Sequence, residues 1–537
     1  MIKRISWNIV LVALLALLAL PWWFVLQGLS LQLPTPGAEL WNYPGIGTAL
    51  SNSLLVGLLS TLLAAACASL IIACEAVSGR PGKNDVGTIF TAPHLAFAIA
   101  FLWLFTPFGW FDRLFPFAAG LVEQQSLVTL VIILVLKETP FLVVLGRQQL
   151  MQLPYQQWLL QGQALGTDRT RSWWLVVFPA WLRAMRLILF AVAIYSVAVV
   201  DLAQIAGPLN PPLLAPLLVG WQLQFDPLSQ LLVQQATWLL IALGGVMVSW
   251  VVIQEWGLVR LLKLRIGRPP GRALIKALSG FSLYFSSATR LLFILISALT
   301  LAALLALSLG YGWFYPDLLP LEWQLKGWSD NADLILQLAL NTLGLGLLTA
   351  VIATAIIIWL REWQRLNQRE LPDLWLLLAL FVPQLSLVIA WLGSDWSALL
   401  RSNHLSVLVA HSWFSFAYGY LVYAPTERNT TQIHLLTGRS LGYGYWRSWW
   451  YFKRPLMHSG IGYCFMVTFL VSVAQYVPTL LLGAGRLPTL TTELVAVSSG
   501  GEWRLPAVYA TLLWFIAFVA LMLVQLTRSK QNLARES

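Results

Sequence analysis

Lys137, Glu138 and Asp201 each interrupt a long apolar run, which makes them the residues best placed to do chemistry. A charge at the centre of a bilayer-spanning helix costs about 2.5–3.5 kcal/mol on insertion scales, so such a group is expected to face a polar path or a partner. Lys137 and Glu138 are neighbours and stand about 100° apart on a helix, which keeps them from neutralising each other face to face. Two readings stay open. Glu138 and Asp201 line a solute path with Pro140 opening the helix beside them, or the charges form interhelical pairs, such as Lys137 with Asp201. Two carboxylates against one lysine favour a cationic or metal-bearing solute over an oxyanion.

Other chemistries lack their residues. His94, His404, His411, His434 and His458 are scattered, with no His-Glu-x2-His and no ligand spacing, which argues against a membrane enzyme. Cys67, Cys74 and Cys464 sit in or beside apolar runs without a CxxC pair, so neither a disulfide framework nor a metal site is expected. A loop that cradles ATP phosphates needs Gly-x4-Gly-Lys-Ser/Thr. Gly82-Lys83 is followed by Asn84 and lacks the earlier glycine. The chain is thus expected to be no ATPase and to carry neither catalysis nor a cofactor of its own.

The elements that must hold these residues are membrane spans. Of 537 residues, 58% are hydrophobic and only 10% charged, against about 45–50% and 25% in soluble domains. A bilayer core of about 30 Å needs roughly 20 helical residues. Twelve runs meet that length, near residues 8–28, 50–74, 88–107, 127–147, 184–207, 230–254, 290–311, 336–360, 374–394, 405–425, 458–483 and 505–527. The first has no small-residue cleavage site and reads as a retained span.

The net charge of +11 would suggest nucleic acid in a soluble protein. Here it follows from topology, because cytoplasmic loops collect Lys and Arg. Of the 33 basic residues, 27 fall on the side holding both termini, counting Arg147, Arg186 and Arg290 at the edges of their spans, five on the other, and Lys137 well inside a span. Both termini are therefore expected in the cytoplasm. A basic stretch over 257–289, around Gly-Arg-Pro-Pro-Gly-Arg, reads as a cytoplasmic linker between a first half, 1–256, and a second, 290–537.

The halves repeat each other. A shift of 276 lays Leu160, Gly162, Leu165, Gly166, Trp173, Trp174 and Pro179 onto Leu436, Gly438, Leu441, Gly442, Trp449, Trp450 and Pro455, and Arg-Ser-Trp-Trp recurs intact. A slightly larger shift lays Asn52 and Gly57 onto Asn341 and Gly346, and Pro93 onto Pro383. Six spans per half give two repeats of the same orientation around an axis along the membrane normal, with a central pathway between them. Glu138 and Asp201 fall on Phe414 and Val477, so the polar lining is expected on one side only.

Each half has a loop of some thirty residues, 150–183 and 427–457, too long for a simple connection. The spacing predicts a short helix, a glycine turn, and a second Trp-rich short helix ending at proline. Tryptophans displayed on such a loop form an apolar patch that a partner would cover; otherwise the rings lie in the headgroup belt or pack under the bundle.

These loops resemble the EAA motif of binding-protein-dependent ABC importer permeases, keeping its thirteen-residue interval from glycine to proline at Gly166–Pro179 and Gly442–Pro455. Leu160, Gln161 and Gly162, and Leu436, Thr437 and Gly438, stand where the motif has Glu-Ala-Ala, and Arg454 replaces its leucine. In length and duplication the chain is similar to fused permeases of thiamine and iron(III) importers, and most like those of thiamine-type systems. The resemblance implies an all-α integral membrane fold of twelve transmembrane helices in two parallel six-helix repeats, like type I ABC importer permeases. It further implies a bacterial inner-membrane location, a periplasmic binding protein, and a cytoplasmic ABC ATPase in two copies. On this reading the ATPases couple through Gly162, Gly166, Trp173, Trp174, Pro179, Gly438, Gly442, Trp449, Trp450 and Pro455. The competing class is an ion-driven secondary carrier with the same six-plus-six repeat. Residues 75–87 lack the Gly-x3-Asp-Arg-x-Gly-Arg loop expected of the major-facilitator type.

Overall fold

The computed structural model describes residues 19–30, 37–79, 93–115, 122–264, 269–428, 433–498, 500 and 502–536. Their regular structure is helical apart from one two-stranded ribbon, β1 (Gly310–Tyr311) paired antiparallel with β2 (Glu322–Trp323). Among the described residues, ten helices are long and apolar enough to cross a bilayer. A helix satisfies its own backbone polar groups, which hydrocarbon cannot do, so apolar runs of this length have little alternative.

In chain order the long helices and the pieces between them are α1 (residues 19–30), α2 (Ile46–Ser78), α3 (His94–Phe105), α4 (Leu127–Met151), α5 (Tyr155–Ala164), α6 (Phe178–Val197), α7 (Asp201–Ala206), α8 (Pro227–Leu264) and α9 (Pro269–Leu309). Next come α10 (Ala332–Asn367), α11 (Gln384–Leu392), α12 (Asn403–Arg428), α13 (Ile433–Ser440), α14 (Arg454–Ala474), α15 (Val477–Gly483) and α16 (Arg504–Glu536).

Ten of the expected spans overlap one of these helices, although 184–207 and 458–483 are broken after Val197 and Ala474, and residues 88–92 lie outside the described residues. Residues 8–18 of the first expected span lie outside the described residues. Span 374–394 is a correction, because it is three short pieces, Asp373–Leu376, Leu378–Leu380 and α11. Pro383 explains the break: it lacks an N–H to donate and pushes Val382 away from helical geometry. Pro93, its counterpart in the other half, immediately precedes α3 in the same way. The 257–289 stretch is helical too, as the end of α8 and the start of α9, with residues 265–268 outside the described set.

Packing repeats along the chain. α2 packs on α4 and α6, as α10 packs on α12 and α14. Glycines set the closeness of these contacts. A Cβ on Gly57 would lie 2.9 Å from Val197, and one on Gly346 2.9 Å from Phe469 and 3.2 Å from Val473. The Leu214 N–H donates to Ser53 Oγ and the Leu490 N–H to Thr342 Oγ1, each at 2.9 Å.

The leading helix of each half crosses to the other. In α1, the Pro21 carbonyl accepts from Trp391 Nε1 at 3.0 Å, Gln27 donates to Asp395 at 2.7 Å, and Trp22 meets Trp413 edge-on at 5.3 Å. α9 packs on α2 and α3 as well as on α16, and α16 itself packs on α3. The core is accordingly continuous across the two halves.

Candidate functional site

Two breaks in membrane-spanning helices meet at the centre. α6 stops at Val197 and resumes as α7, and α14 stops at Ala474 and resumes as α15, at equivalent points of the two halves. Irregular backbone at membrane depth is tolerated where protein covers it or a cavity receives it. A cavity of about 210 Å³ lies between these breaks and the short helices α3 and α11.

Glu138 and Asp201 both line this cavity, and both are buried. His94, at the start of α3, reaches Glu138 with its Nε2 3.3 Å from Oε1, and its ring stands edge-on to Tyr195 at 5.7 Å. Lys137 and Pro140 do not line it. Lys137 is buried with its ammonium 5.4 Å from the centre of the Phe97 ring, and Pro140 lies inside α4. Among the lining residues there is no lysine or arginine.

The expectation of a one-sided polar lining needs correction. The second half contributes Phe414 but also Gln384, Tyr418, Gln475 and Tyr476, so charge is one-sided and polarity is not. Tyr476 Oη donates to Gln204 at 2.9 Å, tying the two breaks together. Behind the second break, His411 bonds Ser472 on one side and Thr479 on the other, both at 2.9 Å, while its carbonyl accepts from Gln475 at 3.3 Å. Sequence reasoning had treated His94 and His411 as scattered. The available signal was that His94 follows a proline in a span and that His411 occurs in a span with serine at 412 and 415 nearby.

The paired loops have the predicted turn. Gly166 and Gly442 adopt φ of +79° and +84°, a region that favours glycine, with open space where a Cβ would be. The Thr167 N–H returns to the Gly162 carbonyl at 2.9 Å, and the Tyr443 N–H to that of Gly438 at 3.1 Å, closing each short helix. Gly162 and Gly438 are required by proximity: a Cβ there would fall 2.0 Å from Ser172 Oγ and 2.8 Å from Ser448 Cβ.

Beyond the turn, the short helix does not end at proline. It runs through a π-helical turn, Trp173–Val177 and Trp449–Lys453, straight into α6 and α14. Pro179 and Pro455 have no N–H and would crowd the carbonyl four residues back, and the wider turn makes room for them.

The tryptophans are mostly not displayed. Trp173, Trp174 and Trp449 are buried, and Trp450 alone is open, 52% exposed, with the Arg454 guanidinium 4.1 Å over its ring. Packing against Phe178 and Trp181 accounts for Trp173 and Trp174. What the loops do display is leucine. Leu160 and Leu165 are exposed in the first, and Leu436 and Leu441 in the second, at equivalent positions.

No family model matches the chain. It is similar to the inner membrane ABC transporter permease protein YnjC of Escherichia coli strain K12, with 29% identity over 496 residues, 88% of each chain.

Proposed function

We propose that the chain is the membrane permease subunit of an ABC transporter, without ATPase activity of its own, as its similarity to a permease over 88% of its length supports, and that it imports a small cation from the periplasm to the cytoplasm. An ABC permease works with an ATPase partner. On this reading two copies dock, one on the exposed turn at residues 160–166 and one on that at 436–442. The observation that carries it is the pair of equivalent glycine turns, each presenting the same two exposed leucines. An apolar contact there takes the place of the Glu-Ala-Ala of related loops.

The cargo path is the central cavity, where Glu138 and Asp201 supply negative charge and Tyr195, Tyr418 and Tyr476 supply aromatic faces. Carboxylates without a lysine or arginine on the same wall favour a cation, either a thiamine-like compound or iron(III). A periplasmic binding protein delivers it. The 27-to-5 distribution of basic residues supports cytoplasmic termini, and the recurrent packing supports two parallel halves.

Purification from the native host in mild detergent tests the core of this reading. Recovery of an ATPase at about two copies per chain is expected, as one per docking loop requires. A chain that copurifies with no ATPase, and moves solute in vesicles on an ion gradient alone, would overturn it.

A further inference from the structure

The two docking loops are attached to the membrane helices by different physics. In the second half, Lys453 sits in the π-helical turn, buried, with its ammonium bonded to Glu362 of α10 and 3.0 Å from Glu427 of α12. Glu362 also accepts from Tyr445 Oη at 2.5 Å, and Glu427 from Arg361 at 2.9 Å and from Arg365. Two points of the loop segment are thereby pinned to two spans by buried, charge-assisted bonds.

Among the described residues of the first half there is no comparable tie. Val177 stands at the position of Lys453, Ala73 at that of Glu362, and Met151 at that of Glu427. The partly buried ion pairs described there, Arg147 with Glu75 and Arg183 and Arg186 with Glu255, join spans to one another and not to residues 155–177. The first loop is held by apolar packing of Trp173, Trp174 and Val177.

Resting on the reading of these loops as ATPase-docking segments, we infer that Lys453 is a positioning residue that makes the second loop, α10 and α12 move as one body, so that the two loops transmit ATPase movement unequally. Removing one partner of a buried pair leaves an uncompensated charge, so the informative variant is neutral overall: Lys453→Met with Glu362→Gln. In proteoliposomes with the bound ATPase, this variant keeps its ATPase stoichiometry and hydrolysis but consumes about tenfold more ATP per solute moved, within the usual range of coupling between sites. Lys453→Arg restores the ratio. Val177→Met, the first-half control, leaves it unchanged. Should the double variant not insert, Tyr445→Phe deletes one hydrogen bond and no charge, and raises the ratio by a smaller factor.

The failures are distinguishable. If the unmodified complex shows no ATP-dependent transport, the docking reading falls and this inference with it. If the unmodified complex transports and neither Lys453→Met/Glu362→Gln nor Tyr445→Phe changes the ratio, or Val177→Met changes it equally, the inference alone falls.

Discussion

Glu138 and Asp201 sit where a charge is expensive, and the protein meets that cost differently for each. Glu138 has His94 within 3.3 Å, whereas Asp201 lies at the head of α7, where a carboxylate meets free backbone N–H groups at a break. Replacing both by their amides, Glu138→Gln with Asp201→Asn, keeps shape and removes charge. Uptake of the cation in vesicles should then fall at least about tenfold, the loss of one charged contact in a desolvated site, while the amount of inserted protein is unchanged. Equal uptake would take the cavity out of the transport path. That such residues mark a site was legible in the sequence. Their neighbours were not, because Gln475 and Tyr476 gain their meaning from a break that apolar hydropathy hides.

At the scale of elements, two kinds of glycine do different work. Gly166 and Gly442 are needed for their backbone conformation, since a left-handed residue with a side chain costs about 1–2 kcal/mol. Gly166→Leu with Gly442→Leu should abolish ATPase copurification while the chain still inserts, because nothing packs against either position; normal transport by this variant would remove the loops from the coupling machinery. Gly57 and Gly346 are needed for closeness. Gly346→Val forces a Cβ into Phe469 and should cost about 1–3 kcal/mol, seen as a lower temperature of irreversible inactivation in detergent. The glycine turns were readable from spacing. The fate of the helix after them was not: a proline normally closes a helix, and only the π-helical turns let it pass. The choice between displayed and packed tryptophans stays open in the sequence for the same reason, since only an uninterrupted helix turns Trp173 and Trp449 toward the bundle.

For the whole molecule, the ten helices able to span the bilayer and the repeat of packing were visible as runs and matched motifs, because both rest on composition. The exchange of α1 and α9 between halves was not, since no local pattern records which neighbour an apolar face will choose. It predicts that the halves remain together when cut. A chain opened within residues 265–268 and expressed as two pieces should copurify through detergent and retain transport to within about twofold, as two-piece membrane folds associate by preformed helix packing. Independent recovery of the two pieces would show the crossed helices to be dispensable.

The seat of α1 also fixes an order of events during synthesis. Gly28 lies so close to Ala390 that a Cβ would overlap its carbonyl oxygen, and Trp391 closes over Pro21. The surface that receives the first described helix is thus translated more than 350 residues after it. Until the ribosome has delivered α11 and α12, that helix has lipid or a chaperone for company, and the N-terminal half cannot reach its final shape alone. Assembly of this protein is therefore completed by its last third, and a nascent chain halted before Ala390 would present α1 unseated.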